Sequence, residues 1–292
     1  MTDTEPIRDR MKFAFVTVCL NAGLSVAMQA DRKAVQDLVD QLHPVVTEHP
    51  LIRLGGRGDG GYLIPDDLMG VVACFSPGGL ANFEASLIER SIPCFLADPS
   101  VAKAPIGGDL VHFTKKFIGV VNNDRTINLD DWVNSNVPGN SDLILQMDIE
   151  GAEWSVLLNV SRETLRRFRI IAIELHDLEK LMDKHAFSII RSTFERLLED
   201  FYVVHNHPNN HGRTVRCGSL VIPRVQEMTL IRKDRVASTT FARTFPHPLD
   251  QKNDPDSPDV PLPPQWFRNS APLERLKAIR SARRTRRATP VR

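Results

Sequence analysis

The chain is poor in cysteine, in net charge and in unbroken apolar runs, and each shortage removes a class of protein. Its four cysteines, Cys19, Cys74, Cys94 and Cys217, stand singly across 292 residues. With no CxxC pair or other metal-ligand spacing, neither a zinc module nor a disulfide scaffold fits. Scattered single thiols suit a reducing compartment, so the expected location is cytoplasmic. A formal net charge of +1 gives no overall field to recruit nucleic acid or acidic partners. The apolar stretch 13–30 follows Arg8, Arg10 and Lys12 in the order of a secretory signal, but Asn21, Gly23, Ser25 and Gln29 interrupt it. Its small-x-small cleavage pattern is poor, and a membrane span needs about 20 predominantly apolar residues. The segment reads as an N-terminal helix covering the core, with a secretory signal at 11–30 as the alternative.

What is present suffices for a globular core, at 42% hydrophobic and 25% charged residues. From Val71 the pattern alternates strand and helix, with strands expected at 71–75, 93–98, 111–113, 117–121, 143–148 and 169–176. An amphipathic helix spans about 186–198, and two final strands are expected at 201–205 and 217–222. The series implies an α/β fold with a mostly parallel, doubly wound sheet. Ahead of it, five glycines fall within residues 55–61 between two short apolar runs, as a hairpin or ordered loop. Beyond about 246, repeated prolines forbid long helices. From Glu274 onward a single acid stands against Arg275, Lys277, Arg280, Arg283, Arg284, Arg286, Arg287 and Arg292. The division is thus a helical extension (1–50), an α/β domain (51–245) and a Pro-rich, basic, partly disordered tail (246–292).

The stretch Leu143 to Trp154 organises the chain. A buried strand would deliver Asp148 and Glu150 at its carboxyl end, where open α/β sheets place their chemistry, and Gly151 would let the chain turn into a helix. Ser76-Pro77-Gly78-Gly79 forms the loop after the first strand, and Asp98 closes the second. An acid there is placed to accept hydrogen bonds from both ribose hydroxyls of a dinucleotide or of S-adenosylmethionine. The phosphate-cradling GxGxxG is absent, which favours a nucleoside ligand without phosphate.

The run Cys74 to Gly79 with Phe83-Glu84, then Phe95 to Asp98, Thr126 to Trp132, and above all Met147 to Trp154, resembles the FkbM-type S-adenosylmethionine-dependent methyltransferases. Gly58 to Tyr62 resembles a feature that precedes the fold in relatives. The resemblance covers about residues 50–225. It implies a Rossmann-like class I methyltransferase fold with an antiparallel final strand, usually acting on oxygen in sugars or secondary metabolites. It places Ser76, Gly78 and Gly79, with Glu84 at the helix start, along the methionine part of S-adenosyl-L-methionine. Asp98 would hold the ribose, and Asp148 would lie beside the cofactor. The first loop departs from the family's acid-x-Gly-x-Gly-x-Gly pattern, having no acid and a proline at 77.

Transfer to a hydroxyl needs a base. Glu150, Glu153, Glu174, His176, His205 and His207 all fall on the expected rim, and histidine has the pKa for the task. Asp148, His176, His205 and His207 would alternatively hold a divalent metal, manganese, iron or zinc rather than magnesium. The expected partner is a small-molecule or glycan acceptor. Two rival readings are an NAD(P)-dependent oxidoreductase on the same kind of sheet and a non-catalytic module with a degenerate cofactor site.

Overall fold

The computed structural model describes residues 7–78 and 81–268. Seven strands form one sheet: β1 (Ala73–Pro77), β2 (Cys94–Ala97), β3 (Val111–Thr114), β4 (Leu143–Met147), β5 (Phe168–Leu175), β6 (Phe201–Pro208) and β7 (Gln226–Arg232). Their order is β6-β7-β5-β4-β1-β2-β3. Neighbours from β3 through β5 run parallel, whereas β7 runs antiparallel to β5 and β6. The chain fills the sheet from β1 out to β3, then returns to lay β4 against the other side of β1. That reversal opens a crevice at the carboxyl ends of β1 and β4, where such sheets bind ligands.

Among the described residues seven α-helices accompany the sheet: α1 (Ile7–Asn21), α2 (Arg32–Gln41), α3 (Asn82–Ile88), α4 (Leu129–Asn136), α5 (Glu153–Asn159), α6 (Arg162–Leu165) and α7 (Lys184–Asp200). In α7, Phe187, Ile190, Phe194 and Leu197 form one buried stripe at helical spacing. Asp183 caps it, accepting bonds from the His185 and Ala186 amides. With α2, α4 and α5 it covers one face of the sheet, against Phe75, Leu145 and Ile171. The other face carries α3 and a hairpin, Leu51–Leu54 paired with Tyr62–Pro65, over Cys74, Ile144 and Ala172. Because side chains alternate along a strand, Gln146 and Glu174 fall on this hairpin face while Met147 and Ile173 face the helices.

Three expectations change. The N-terminal segment is helical but does not cover the core: Met11, Phe13, Phe15, Val18 and Leu20 are each at least 60% exposed. Apolar residues at every second position scatter around a helix instead of forming a stripe. Among the described residues, no helix is long and apolar enough to cross a membrane. The strand expected at 217–222 is a small hairpin, Thr214–Cys217 with Leu220–Pro223, turned at Gly218. The sheet position goes to β7, whose Gln226, Glu227 and Thr229 mask its strand pattern in the sequence. Finally, residues 242–268 form a strap folded back on the core, burying Leu262 and Trp266. The Trp266 indole donates to the Val221 carbonyl at 3.0 Å. The basic run from Arg275 lies outside the described residues.

Trp132 on α4 is fully buried, edge-on to Phe75 at 4.9 Å between centroids. Trp132→Ala is expected to cost about 3–5 kcal/mol in denaturant unfolding, whereas Phe13→Ala on the exposed helix should change stability by no more than about 0.5 kcal/mol.

Candidate active site at the carboxyl ends of the strands

The crevice between β1 and β4 is closed by contact between main chains. Gly78, at φ +148°, leaves the end of β1 so close to β4 that a Cβ there would lie 3.0 Å from the Asp148 carbonyl oxygen. The Asp148 amide donates to the Pro77 carbonyl at 3.3 Å, and the Gly78 amide to that of Ala97 at 3.4 Å. Gly79 lies outside the described residues. Asp98 follows β2 directly, nearly buried, with one carboxylate oxygen accepting from the Ser100 amide at 2.7 Å. Gly78, Asp98 and Asp148 therefore stand at the ends of three adjacent strands.

Ser76 and Glu84 lie beneath this loop. Both are buried, and the Ser76 hydroxyl meets Glu84 Oε1 and, at 2.6 Å, Gln146 Oε1. Gln146 in turn donates to the Tyr62 hydroxyl at 3.2 Å. One hydroxyl proton cannot serve two acceptors. Burial raises the Glu84 pKa to about 7, which lets Glu84 carry the second proton and donate to Ser76.

Beyond β4 the chain turns through Glu150 at φ +55° and Gly151 at φ +99°. Glu153, wholly buried in the first turn of α5, reaches back to fix that turn. Its Oε1 accepts from the Ile149 amide at 3.0 Å, the Gly151 amide at 3.2 Å and His176 Nδ1 at 3.1 Å. The Trp154 indole holds the His176 carbonyl at 3.0 Å. So oriented, His176 Nε2 faces Glu150 and Glu174 at 3.5 Å each and Asp148 at 3.9 Å. Burial acts to lower the His176 pKa, but the bond and charge of Glu153, with Glu174 and Asp148, raise it to about 9. The imidazole thus carries its proton at neutral pH. Burial, with like charges around it, pushes Asp148 up to about 6 against the pull of His176. Burial together with Asp148 and Glu227 pushes Glu174 up to about 8.

Four residues of this site were not anticipated. Asp59 comes from the glycine-rich hairpin loop and Glu227 from β7, and with Glu174 they place carboxylate oxygens within 4.8 Å of one another. Asn209 donates to both Glu174 oxygens at 3.0 Å. Asn253, on the strap, donates to Glu227 at 2.5 Å and to Asp59 at 3.2 Å. Asp59 had a signal in its five neighbouring glycines; the other three depend on chain returning from far along the sequence. Asp59, Asp148, Glu150, Glu174, His176 and Asn209 line part of a cavity of about 320 Å³. Asp148, Glu174 and His176 also bring one potential ligand atom each within 4.8 Å.

The structure brings His176, Glu150 and Asp148 together but does not bring His205 to them. β6 lies three strands from β4, about 14 Å at ordinary strand spacing. His207 is on the same strand: burial acts to lower its pKa, but Glu227, 3.3 Å from its Nδ1, raises it. His205 faces a separate cavity.

The Rossmann-like sheet thus has a crevice at its strand-order reversal, an acid closing the neighbouring strand and an acid at the end of β4. Residues 97–201 match the model of the methyltransferase FkbM domain. Over those residues the chain is similar to the FkbM-type methyltransferases. No curated protein matches it. The FkbM match runs from the end of β2 to the start of β6 and includes Asp98, Asp148, Glu150, Glu174 and His176. It supports methyltransferase activity, with S-adenosylmethionine as the family's methyl donor and a small molecule as acceptor.

Glu84 makes a pH-dependent prediction. Its pKa is above the ordinary 4.5, so between 4.5 and about 7 the folded chain holds a proton the unfolded chain has released. The stability linked to it is full below that range and lost as pH rises through 7. Glu84→Gln should flatten the fall in melting temperature between those limits.

Proposed function

We propose that this protein is an O-methyltransferase, moving the methyl group of S-adenosyl-L-methionine to a hydroxyl of a sugar, glycan or small polar metabolite. The observation that carries this is the Gly78–Asp148 apposition at the strand-order reversal, with Asp98 closing the next strand. Gly78 and Gly79 would pass along the methionine part of the donor, and Asp98 would accept from the ribose hydroxyls. Ser76 and Glu84 would support the loop from below. We assign residues 51–245, with the strap to 268 that brings Asn253 to the site, to the catalytic domain and 1–50 to an extension, and the free cysteines fit a cytoplasmic setting.

The acceptor enters the cavity of about 320 Å³ beside Asp148, where carboxylates and Asn209 offer hydrogen bonds to hydroxyls. Its oxygen attacks the methyl carbon as the carbon–sulfur bond breaks, the electron pair going to sulfur, and its proton must leave. His176 already holds a proton, so Asp148 takes the acceptor's; Asp148 Oδ1 is buried and makes no hydrogen bond. His176 holds Asp148 ionised, Glu153 orients His176, and exposed Glu150 is a second acceptor at the mouth. His207 acts only through Glu227.

A second reading of the same residues is favoured by their donor set. Asp148, Glu174 and His176 would fit a divalent cation such as manganese, iron or zinc, which would supply a Lewis acid for the acceptor oxygen. Activity that survives a chelator and is not raised by added metal removes it.

Calorimetry with S-adenosylmethionine should show micromolar binding, weakened by about 1.5–3 kcal/mol in Asp98→Ala through loss of a charged hydrogen-bond partner. Unchanged affinity in that variant would remove Asp98 from the site. Radiolabelled methyl transfer to a panel of hydroxylated acceptors tests the reaction. His176→Gln should lower turnover about 10²–10⁴-fold while leaving donor affinity nearly as it was.

A further inference from the structure

The cavity that His205 faces belongs to a different part of the molecule. It lies outside β6, between the Val45–Val46 strand and residues 242–248 of the strap, with a volume of about 470 Å³. Its walls are mostly apolar, with Val45, Leu51, Val204 and Phe245 among them. Ligand pockets have this size and this excess of apolar lining, with few polar groups to orient the guest.

The polar groups here are unusually well defined. His205 is almost fully buried, and its Nε2 lies 2.9 Å from Asp250 Oδ1, yet neither atom completes a hydrogen bond of good geometry. His247 stands edge-on to His205, 6.1 Å between ring centroids. The Leu249 amide donates to His247 Nδ1 at 3.2 Å, so the neutral ring carries its hydrogen on Nε2. Burial, and then neighbouring His205, lower the His247 pKa. Arg243 is exposed in the lining and makes no ion pair among the described residues. The buried Asp250 is already faced by His205, so Arg243 is the unmatched charge of the cavity.

We infer that this cavity is a second small-molecule site, built for an apolar body carrying a single carboxylate, with the carboxylate at Arg243 and the apolar part against Val45, Val204 and Phe245. It is separate from methyl transfer, because β6 stands about 14 Å from β4. His205 and His247 accordingly orient this ligand and take no proton from the acceptor. The strap links the two sites physically: residues 242–248 wall the cavity, and Asn253 a few residues on holds Glu227 and Asp59.

Octanoate and the neutral 1-octanol serve as probes with the full chain. Calorimetry should give one saturable octanoate site per chain, with 1-octanol weaker by about tenfold or more. Arg243→Glu, an exposed position where folding is not at stake, should abolish that difference. Ala242→Trp, which fills the cavity from the strap side, should remove binding altogether. Hydrogen exchange of residues 242–253 should slow with octanoate bound. Absence of saturable binding, equal affinity for octanoate and 1-octanol, or octanoate affinity unchanged by Arg243→Glu overturns the inference.

Discussion

The buried carboxylate of Glu153 is the interaction on which the site depends. One oxygen receives two backbone amides of the turn after β4 and the Nδ1 of His176. It therefore fixes where the Asp148–Glu150 segment leaves the sheet and how the imidazole is aimed. It also supplies the negative charge that keeps a proton on His176. That cation in turn lets Asp148 and Glu174 crowd together, since carboxylates this close and this poorly solvated cannot all ionise unaided. Bound protons, a divalent cation or the sulfonium of a methyl donor are the three ways such a rim can be balanced.

The sheet explains why these groups meet. Alternation along β4 and β5 puts Gln146 and Glu174 on the hairpin face, and the antiparallel β7 sets Glu227 directly opposite Glu174. The hairpin closes over this row: the Thr229 hydroxyl donates to the Leu63 carbonyl at 2.6 Å, and the glycine-rich loop lowers Asp59 toward it. Polar side chains on a sheet face survive burial only when they find partners, and here hairpin and strap supply them. The same strap walls the cavity outside β6, and its Asn253 holds Asp59 at the edge of the other.

Much of this was legible in the sequence where the signal is local. Apolar runs ending in an acid gave β2 and β4 with Asp98 and Asp148 at their ends, and a run ending in Glu174 and His176 gave β5. What stayed hidden depends on long-range return of the chain. β7 escaped because Glu227 and Thr229 are polar toward the hairpin and Gln226 opens the strand, and Asn253 because proline-rich sequence looks alike whether it packs or not. His205 and His207 share a rim with His176 in one dimension, but strand order separates them from Asp148. The protonation of His176 is likewise a property of neighbours from three segments, which no spacing reveals.

The most direct test of the account is a crystal structure of the protein with S-adenosylhomocysteine. The account predicts the ligand in the crevice between β1 and β4, its ribose hydroxyls on Asp98, its amino-acid end along Gly78 and its sulfur beside Asp148. Density elsewhere, or a ribose that leaves Asp98 untouched, would contradict it.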